Sequence, residues 1–373
     1  MTSRRSLLTS ASVAAALSIT QPVAAWADEP IPVVVTFSIL GDMVERIGGV
    51  HIAVTTLVGP DGDAHVYQPT PQAARVVSEA DILFMNGLEF EGWLERLAEA
   101  ADFGGDLVVA TTGIEAIEFG EHGDEHGDHG DEHAEHDDHG DEHAEHGEHD
   151  EHGEEHASHD DHDEHGEEHA EHDDHKEHGD EHAGHDDHGD EHAGHDHGAF
   201  DPHAWQSLEH AVTYVDNIAA ALAKADPDNA GDYYANRASY VAEIEALAAE
   251  VSAMMEALPE DRRTVVTSHD AFGYFAESYG ITFEAPQGLS TESEASAADV
   301  AALITQIREE GISAVFIESI TDNRLMQQIA NETGAIVGGT LYSDALSGED
   351  GPAATYLDMM RHNATTISQA LGS

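Results

Sequence analysis

The stretch NAGDYYANRASYVAEIEALAAEVSAMMEA, residues 229–257, decides the fold of this chain. It lies between Pro227 and Pro259, and proline cannot continue a helix from within, so the two prolines predict its limits. A helix of about 29 residues spans roughly 43 Å at about 1.5 Å per residue, enough to cross a whole domain. The stretch therefore predicts one long helix between two parts of the protein.

Strands and helices alternate on both sides of this helix. Apolar strands are predicted at 33–35, 52–58, 82–85, 107–110, 264–268, 281–283, 314–317 and 335–337. Helices are predicted at 39–47, 70–80, 89–101, 207–224, 272–279, 298–310, 323–332 and 353–371. This alternation predicts parallel sheets, so the fold class is α/β with four strands in each of two lobes. We expect an N-terminal lobe at 28–225, a linking helix at 226–258 and a C-terminal lobe at 259–373.

The first 27 residues have the pattern of an export signal. Arg4 and Arg5 precede an apolar run, and Ala25-Trp26-Ala27 forms a small-residue cleavage site, so we expect a signal peptide at 1–27. The paired arginines fit a twin-arginine signal and a general secretory signal about equally well. No cysteine follows the cleavage site, so we expect a soluble periplasmic protein without a lipid anchor.

Composition excludes several classes of site and partner. The chain has no cysteine, which excludes thiolate metal sites and thiol redox chemistry. Its formal net charge of −64 makes nucleic acid and anionic membrane surfaces poor partners and cations good ones. We expect no membrane insertion and a monomer.

Three histidines and one aspartate follow predicted strands. His65 follows the second strand, His203 the fourth, His269 the fifth and Asp344 the last. Open α/β sheets bind ligands beyond the carboxyl ends of their strands, so two residues from each lobe can meet only in the cleft between the lobes. Three imidazoles and one carboxylate suit tetrahedral Zn²⁺, whereas Mn²⁺ favours more oxygen ligands.

The sequence contains further acidic residues and histidines that are considered as metal ligands. Glu284 and Glu318 also follow strands in the second lobe, so either could replace or support Asp344. Asp270 is equally well interpreted as an outer partner, as a capping group or as a ligand. Three further histidines lie at a strand start or on helices and are interpreted as ordinary residues: His51, His210 and His362.

Residues 121–198, the histidine-rich segment, consist almost wholly of His, Asp, Glu, Gly and Ala. They contain 24 of the 30 histidines of the chain. Such a sequence has almost no apolar surface to bury, so we expect it to be disordered. It offers many weak sites for Zn²⁺, Cu²⁺ or Ni²⁺, and its position beside His203 would raise the local metal concentration. The alternative interpretation is a solvated acidic spacer.

Four motifs surround the candidate ligands: DAHVYQP at 63–69, DPHAW at 201–205, SHDAFGY at 268–274 and YSDAL at 342–346. With NGLE at 86–89 and Trp93-Leu94, they resemble the zinc-specific, ZnuA-like solute-binding proteins of ABC importers. The resemblance covers the whole mature chain and includes a His/Asp-rich insert before the second histidine motif. It implies two (β/α)₄ lobes joined by one rigid helix.

The resemblance also implies a ligand set and a function. The ligands are expected at His65, His203, His269 and an acidic or water position, for which we choose Asp344. Manganese-binding relatives carry Glu where this chain has His269, which favours zinc. Some zinc members have a disulfide in the second lobe, and this chain has none.

We therefore expect a zinc receptor that delivers Zn²⁺ to an ABC permease and its ATPase. A stiff linking helix permits only small rocking or local rearrangement on release. One alternative is a periplasmic zinc buffer or chaperone that works without a transporter. A zinc hydrolase is the other alternative, although no HExxH helix or nucleophile–base pair supports it.

Overall fold

A computed structural model of the chain describes residues 29–118 and 199–372. The signal peptide predicted at 1–27 and the histidine-rich segment at 121–198 lie outside these residues. None of the helices within the described ranges combines the length and the apolar character needed to cross a membrane.

The described residues form two four-stranded sheets, and every strand pair is parallel. The first sheet has the order β2-β1-β3-β4 and consists of β1 Ile31–Phe37, β2 Ile52–Val58, β3 Ile82–Met85 and β4 Asp106–Val109. The second has the order β6-β5-β7-β8 and consists of β5 Thr264–Val266, β6 Thr282–Glu284, β7 Ala314–Glu318 and β8 Ile336–Leu341. Both sheets have the same strand order, which confirms the predicted α/β fold with two lobes.

Nine helices are found in the described ranges: α1 Ser38–Gly48, α2 Pro71–Ser78, α3 Leu94–Ala100, α4 Leu208–Ala225, α5 Ala230–Glu256, α6 Gly273–Tyr279, α7 Ala297–Glu310, α8 Arg324–Thr333 and α9 Tyr356–Leu371. The long helix predicted between Pro227 and Pro259 is α5, with 27 residues. It packs against α1, α4 and α9. Its buried side chains recur at helical spacing and include Tyr233, Tyr240, Ile244, Leu247 and Val251.

One hydrophobic cluster runs through both lobes. It contains strand residues of the first sheet, the buried side of α5 and the apolar positions of α9. A smaller cluster fills the space between α7, α8 and the second sheet and includes Leu303, Val315 and Met326. The larger cluster has members in both lobes and in α5, so it does not separate them. The domain limits 28–225, 226–258 and 259–373 therefore remain a proposal.

The third helix is shorter than the prediction of 89–101. Three consecutive residues have positive φ angles, Gly87 at 94°, Leu88 at 53° and Glu89 at 63°, so the helix cannot begin there. A left-handed conformation costs a non-glycine residue roughly 1–2 kcal/mol. The chain therefore turns sharply after β3, and α3 begins only at Leu94.

The last strand is longer than the prediction of 335–337. Gly338 and Gly339 have the composition of a turn, but β8 continues through them to Leu341. Gly339 has a φ of 143°, and the pairing with β7 shifts register between Val315 and Phe316. A Cβ at Gly338 would lie 2.5 Å from the Phe316 ring, so a glycine lets the strand pass this side chain. The extension carries the chain to Asp344.

Candidate metal centre

The loop after β2 brings His65 into the cleft. The backbone N–H of His65 donates to Asp63 Oδ1 at 2.9 Å, and the indole N–H of Trp93 donates to the Ala64 carbonyl at 2.8 Å. Thr291, from the other lobe, donates its hydroxyl to Asp63 Oδ2 at 2.7 Å. These bonds fix the loop, and His65 is 7% exposed, the most exposed of the four candidate ligands.

The segment that follows the undescribed residues brings in His203 in a similar way. Its backbone N–H donates to Asp201 Oδ1 at 2.9 Å, and its Nδ1 lies 2.7 Å from the same oxygen. A proton on Nδ1 shared with this carboxylate leaves the lone pair on Nε2 facing the cleft. His203 is fully buried, and Trp205 packs beside its ring.

His269 follows β5 in the second lobe and is fully buried. Its Nδ1 lies 2.6 Å from Glu318 Oε2, at the end of β7. Glu318 Oε1 accepts the backbone N–H groups of Ser268 and His269 at 2.7 and 2.8 Å. Glu318 therefore supports His269, a role that its position after a strand did not predict, since only replacement or support of Asp344 was considered for it.

Asp344 follows β8 and is also fully buried. The neighbouring Ser343 carbonyl accepts the indole N–H of Trp205 and the side-chain amide N–H of Gln206, both at 2.8 Å. These bonds cross from one lobe to the other. They hold the Asp344 loop against the segment that carries His203.

The four side chains converge at one point. Asp344 Oδ2 lies 3.1 Å from His269 Nε2 and 3.3 Å from His65 Nε2, and Asp344 Oδ1 lies 3.7 Å from His203 Nε2. The His65 and His203 Nε2 atoms are 3.4 Å apart, and the four potential ligand atoms all lie within 4.8 Å of one another. Two residues come from each lobe, as the strand positions predict.

The chemistry of this donor set fits a divalent cation. Within the described residues, neither carboxylate oxygen of Asp344 nor Nε2 of His269 makes a hydrogen bond of normal geometry. Buried polar atoms left without hydrogen bonds are costly, whereas a cation among them would satisfy several at once. Three imidazole nitrogens and one carboxylate make a four-ligand set of the kind that Zn²⁺ accepts.

Charges in the cluster shift the pKa values of two members. Burial lowers the pKa of His269, but the carboxylates of Glu318 and Asp344 outweigh burial and hold this pKa well above its usual value of 6.5. Burial raises the pKa of Asp344, but its interactions with the neighbouring imidazoles, that of His269 above all, outweigh burial and hold this pKa well below 3.8. Without a cation and below that raised pKa, His269 carries a proton between two carboxylates.

The remaining histidines among the described residues lie elsewhere. His51 pairs with Asp232 at 2.9 Å near the start of α5. His210 packs on Tyr274, and His362 lies 3.0 Å from the Thr340 carbonyl. None of them joins the cluster that the structure describes, nor does Glu284.

Sequence reasoning missed two positioning carboxylates, although the chain contains a signal for them. Asp63 and Asp201 each stand two residues before a cluster histidine, and each accepts that histidine's backbone N–H at 2.9 Å. An aspartate that accepts a bond from the residue two positions later closes an Asx-turn. The repeated Asp-x-His spacing could have indicated both turns.

Gly273 gives a test of the Asp201 contact. A Cβ at Gly273 would lie 2.5 Å from Asp201 Oδ2, too close for the carboxylate to stay in place. Gly273→Ala should displace the group that orients His203 and raise the Kd for a bound divalent cation about tenfold, the lower end of the effect of losing an outer partner. Competition with a chelating dye would measure the change in Kd.

Gly231→Ala is the matched control, because no atom lies within 4 Å of its added Cβ. Equal affinity in both variants would contradict the contact.

Comparison with known proteins identifies relatives over most of the chain. The family described as "ZnuA: Zinc-uptake complex component A periplasmic" matches residues 33–370. The manganese-binding lipoprotein MntA of Halalkalibacterium halodurans is 27% identical over 344 residues, which cover 92% of this chain and 89% of MntA. The metal ABC transporter substrate-binding lipoprotein SsaB of Streptococcus sanguinis is 25% identical over 347 residues, which cover 91% of this chain and 89% of SsaB.

A solved structure supports the same conclusion. The manganese-bound periplasmic metal-binding protein of Candidatus Liberibacter asiaticus matches with a TM-score of 0.65 and 27% identity, covering 91% of this chain and 98% of that chain. By their names, these relatives are a manganese-binding lipoprotein, a substrate-binding lipoprotein of a metal ABC transporter and a periplasmic metal-binding protein. The chain therefore belongs to the ZnuA family of periplasmic binding components of metal-uptake complexes, a family of receptors and not of enzymes.

Proposed function

We propose that this chain is a zinc receptor that captures Zn²⁺ in the periplasm and delivers it to an ABC permease and its ATPase. The observation that carries the proposal is the buried cluster of His65, His203, His269 and Asp344, with ligand atoms within 4.8 Å of one another. We propose these four residues as the metal ligands. The protein would act as a monomer, since each chain contributes a complete ligand set.

The choice of zinc rests on the ligand atoms. Three nitrogens and one carboxylate favour Zn²⁺ over Mn²⁺, which prefers more oxygen, and the Irving–Williams order also gives zinc the stronger binding. MntA and the Liberibacter protein are named for manganese, so family membership alone leaves the metal open. The resemblance of the second-lobe motif to that of zinc-specific members also supports zinc.

The histidine-rich segment at 121–198 would have a separate role. Its 24 histidines offer many weak sites, and their attachment to the receptor raises the metal concentration around it. We propose that it collects or senses metal and is not needed for the tight site. The alternative of a buffer without a transporter differs in one measurable respect, because only a receptor would bind the permease.

Deletion of residues 121–198 tests both the metal and the independence of the site. The shortened protein should bind one Zn²⁺ with the affinity of the tight site of the full chain, and Mn²⁺ at least about a hundredfold more weakly, a difference of about 2.7 kcal/mol. Metal analysis and chelator competition would measure both. Loss of the tight site on deletion, or a preference for Mn²⁺, would contradict the proposal.

Release of the metal would begin at the most exposed ligand. His65 lies on a loop and is 7% exposed, whereas the other three ligands are fully buried. The stiff helix α5 joins the lobes, so large hinge closure is unfavourable and local motion of the His65 loop is the easier route. Motion of this loop would break at least two hydrogen bonds between the lobes, Thr291 to Asp63 and the Asp61 backbone N–H to the Leu346 carbonyl.

A further inference from the structure

A buried carboxylate outside the ligand cluster, Glu91, holds the turn after β3. Its Oε1 accepts the Thr36 hydroxyl at 2.6 Å and the Asn86 backbone N–H at 2.7 Å, and its Oε2 accepts the Gly87 backbone N–H at 3.2 Å. All three partners are donors. The side chain is 5% exposed, so water has little access to replace these bonds.

The turn that Glu91 closes has an unfavourable backbone. Gly87, Leu88 and Glu89 all have positive φ angles, and two of them are not glycine. Such residues keep a left-handed conformation only where surrounding contacts impose it. The carboxylate of Glu91 supplies those contacts, since it binds two backbone N–H groups at the start of the turn.

This turn contacts the loops of both candidate ligands in the first lobe. Phe90 is buried with its ring centroid 4.8 Å from that of His65 and 6.0 Å from that of His203. Trp93 donates its indole N–H to the carbonyl of Ala64, the residue before His65.

Asn86 makes the corresponding bond on the other side of the turn. Its side-chain amide N–H donates to the carbonyl of Pro202, the residue before His203, at 2.8 Å. Its side-chain oxygen accepts the Tyr214 hydroxyl, which fixes the amide orientation. The turn from Asn86 to Trp93 therefore contacts the residue before each first-lobe histidine.

We propose that Glu91 is a positioning residue for metal binding, which holds the turn from Asn86 to Trp93 and through it the imidazoles of His65 and His203. The inference rests on the proposed metal site. It assigns Glu91 no contact with the metal. Because a positioned pair of ligands must separate before the ion leaves, the main effect of Glu91 is on the rate of metal release.

Glu91→Gln is the direct test, because it keeps the shape and replaces one oxygen by an N–H donor. With three donors facing this side chain, the new amide must face at least one of them. A chelator added to the zinc-loaded full chain should empty weak sites at once and the tight site in a slow phase. We expect Glu91→Gln to speed the slow phase up to about tenfold, the lower end of the loss of affinity when a direct partner of a ligand is removed.

Two further variants separate positioning from loss of stability. Val44→Ala removes buried apolar volume in α1 and is chosen as a destabilised control, which should lower the melting temperature and leave the slow phase unchanged. Thr36→Val removes one of the three donors to Glu91 and should speed the slow phase by a smaller factor. The Thr36→Val variant tests the positioning role of Glu91 even if Glu91→Gln does not fold.

The outcomes have separate meanings. An unchanged slow phase in Thr36→Val and Glu91→Gln, or an effect no larger than that of Val44→Ala at equal loss of stability, overturns the role of Glu91. Absence of any slow phase in the unaltered protein overturns the proposed metal site instead.

Discussion

His269→Ala is expected to abolish tight zinc binding. Its Nε2 lies 3.1 Å from Asp344 Oδ2 and its Nδ1 lies 2.6 Å from Glu318 Oε2, so alanine removes one ligand and the group between two buried carboxylates. The Kd should rise more than about a hundredfold, beyond the 10–100-fold cost of losing an outer partner. This corresponds to more than about 2.7 kcal/mol of binding free energy. Chelator competition on the protein without residues 121–198 would measure it.

His51→Ala is the matched control for this experiment. His51 pairs with Asp232, whose side chain is 67% exposed, and it lies outside the ligand cluster. An exposed pair of this kind contributes little, so the Kd should stay unchanged. Thermal unfolding of both variants would verify that they fold. Tight zinc binding that survives in folded His269→Ala would remove the basis of the ligand assignment.

Zinc affinity should fall steeply as the pH falls. In the absence of a cation, the pKa of His269 is held well above 6.5, because the carboxylates of Glu318 and Asp344 outweigh the opposing effect of burial. Below that raised pKa, a proton occupies His269 and the cation must displace it. One displaced proton weakens binding about tenfold for each unit by which the pH falls. The zinc affinity therefore rises with pH until His269 is already neutral in the metal-free protein.

Calorimetry in buffers of different ionisation enthalpy would count the displaced protons. Below the raised pKa of His269, the protein without residues 121–198 should release about one proton from His269 per zinc ion bound. His210→Ala is a suitable control, because His210 lies outside the cluster and its ring packs on Tyr274. An affinity that stays constant between pH 6 and 8, with no proton release, would show that His269 is already neutral.

The alternation of strands and helices was predictable because each apolar run is short and bounded by polar or breaker residues. The long helix α5 was predictable for a similar reason, since Pro227 and Pro259 mark its limits. The position of His65, His203 and His269 after strands also predicted that they meet, because parallel strands present their carboxyl ends to the same cleft. These features depend on local chemistry and on the general geometry of parallel sheets.

Other features were decided only by the tertiary structure. Glu284, Glu318 and Asp344 all follow strands in the second lobe, so strand position alone does not distinguish their carboxylates, and only the resemblance of the motif at 342–346 favoured Asp344. Packing brings Asp344 to the three imidazoles and places Glu318 behind His269, because the length of β8 and the bonds from Trp205 set the Asp344 loop.

The start of α3 was decided in the same way. The sequence predicted a helix from residue 89, but the Glu91 carboxylate accepts hydrogen bonds from Thr36 in β1 and from Asn86 just after β3. Thr36 is distant from Glu91 along the chain. Asn86 stands directly before a turn whose positive φ angles are unfavourable for Leu88 and Glu89. The sequence by itself therefore determined which residues could bind a metal, and long-range contacts decided how those residues are held.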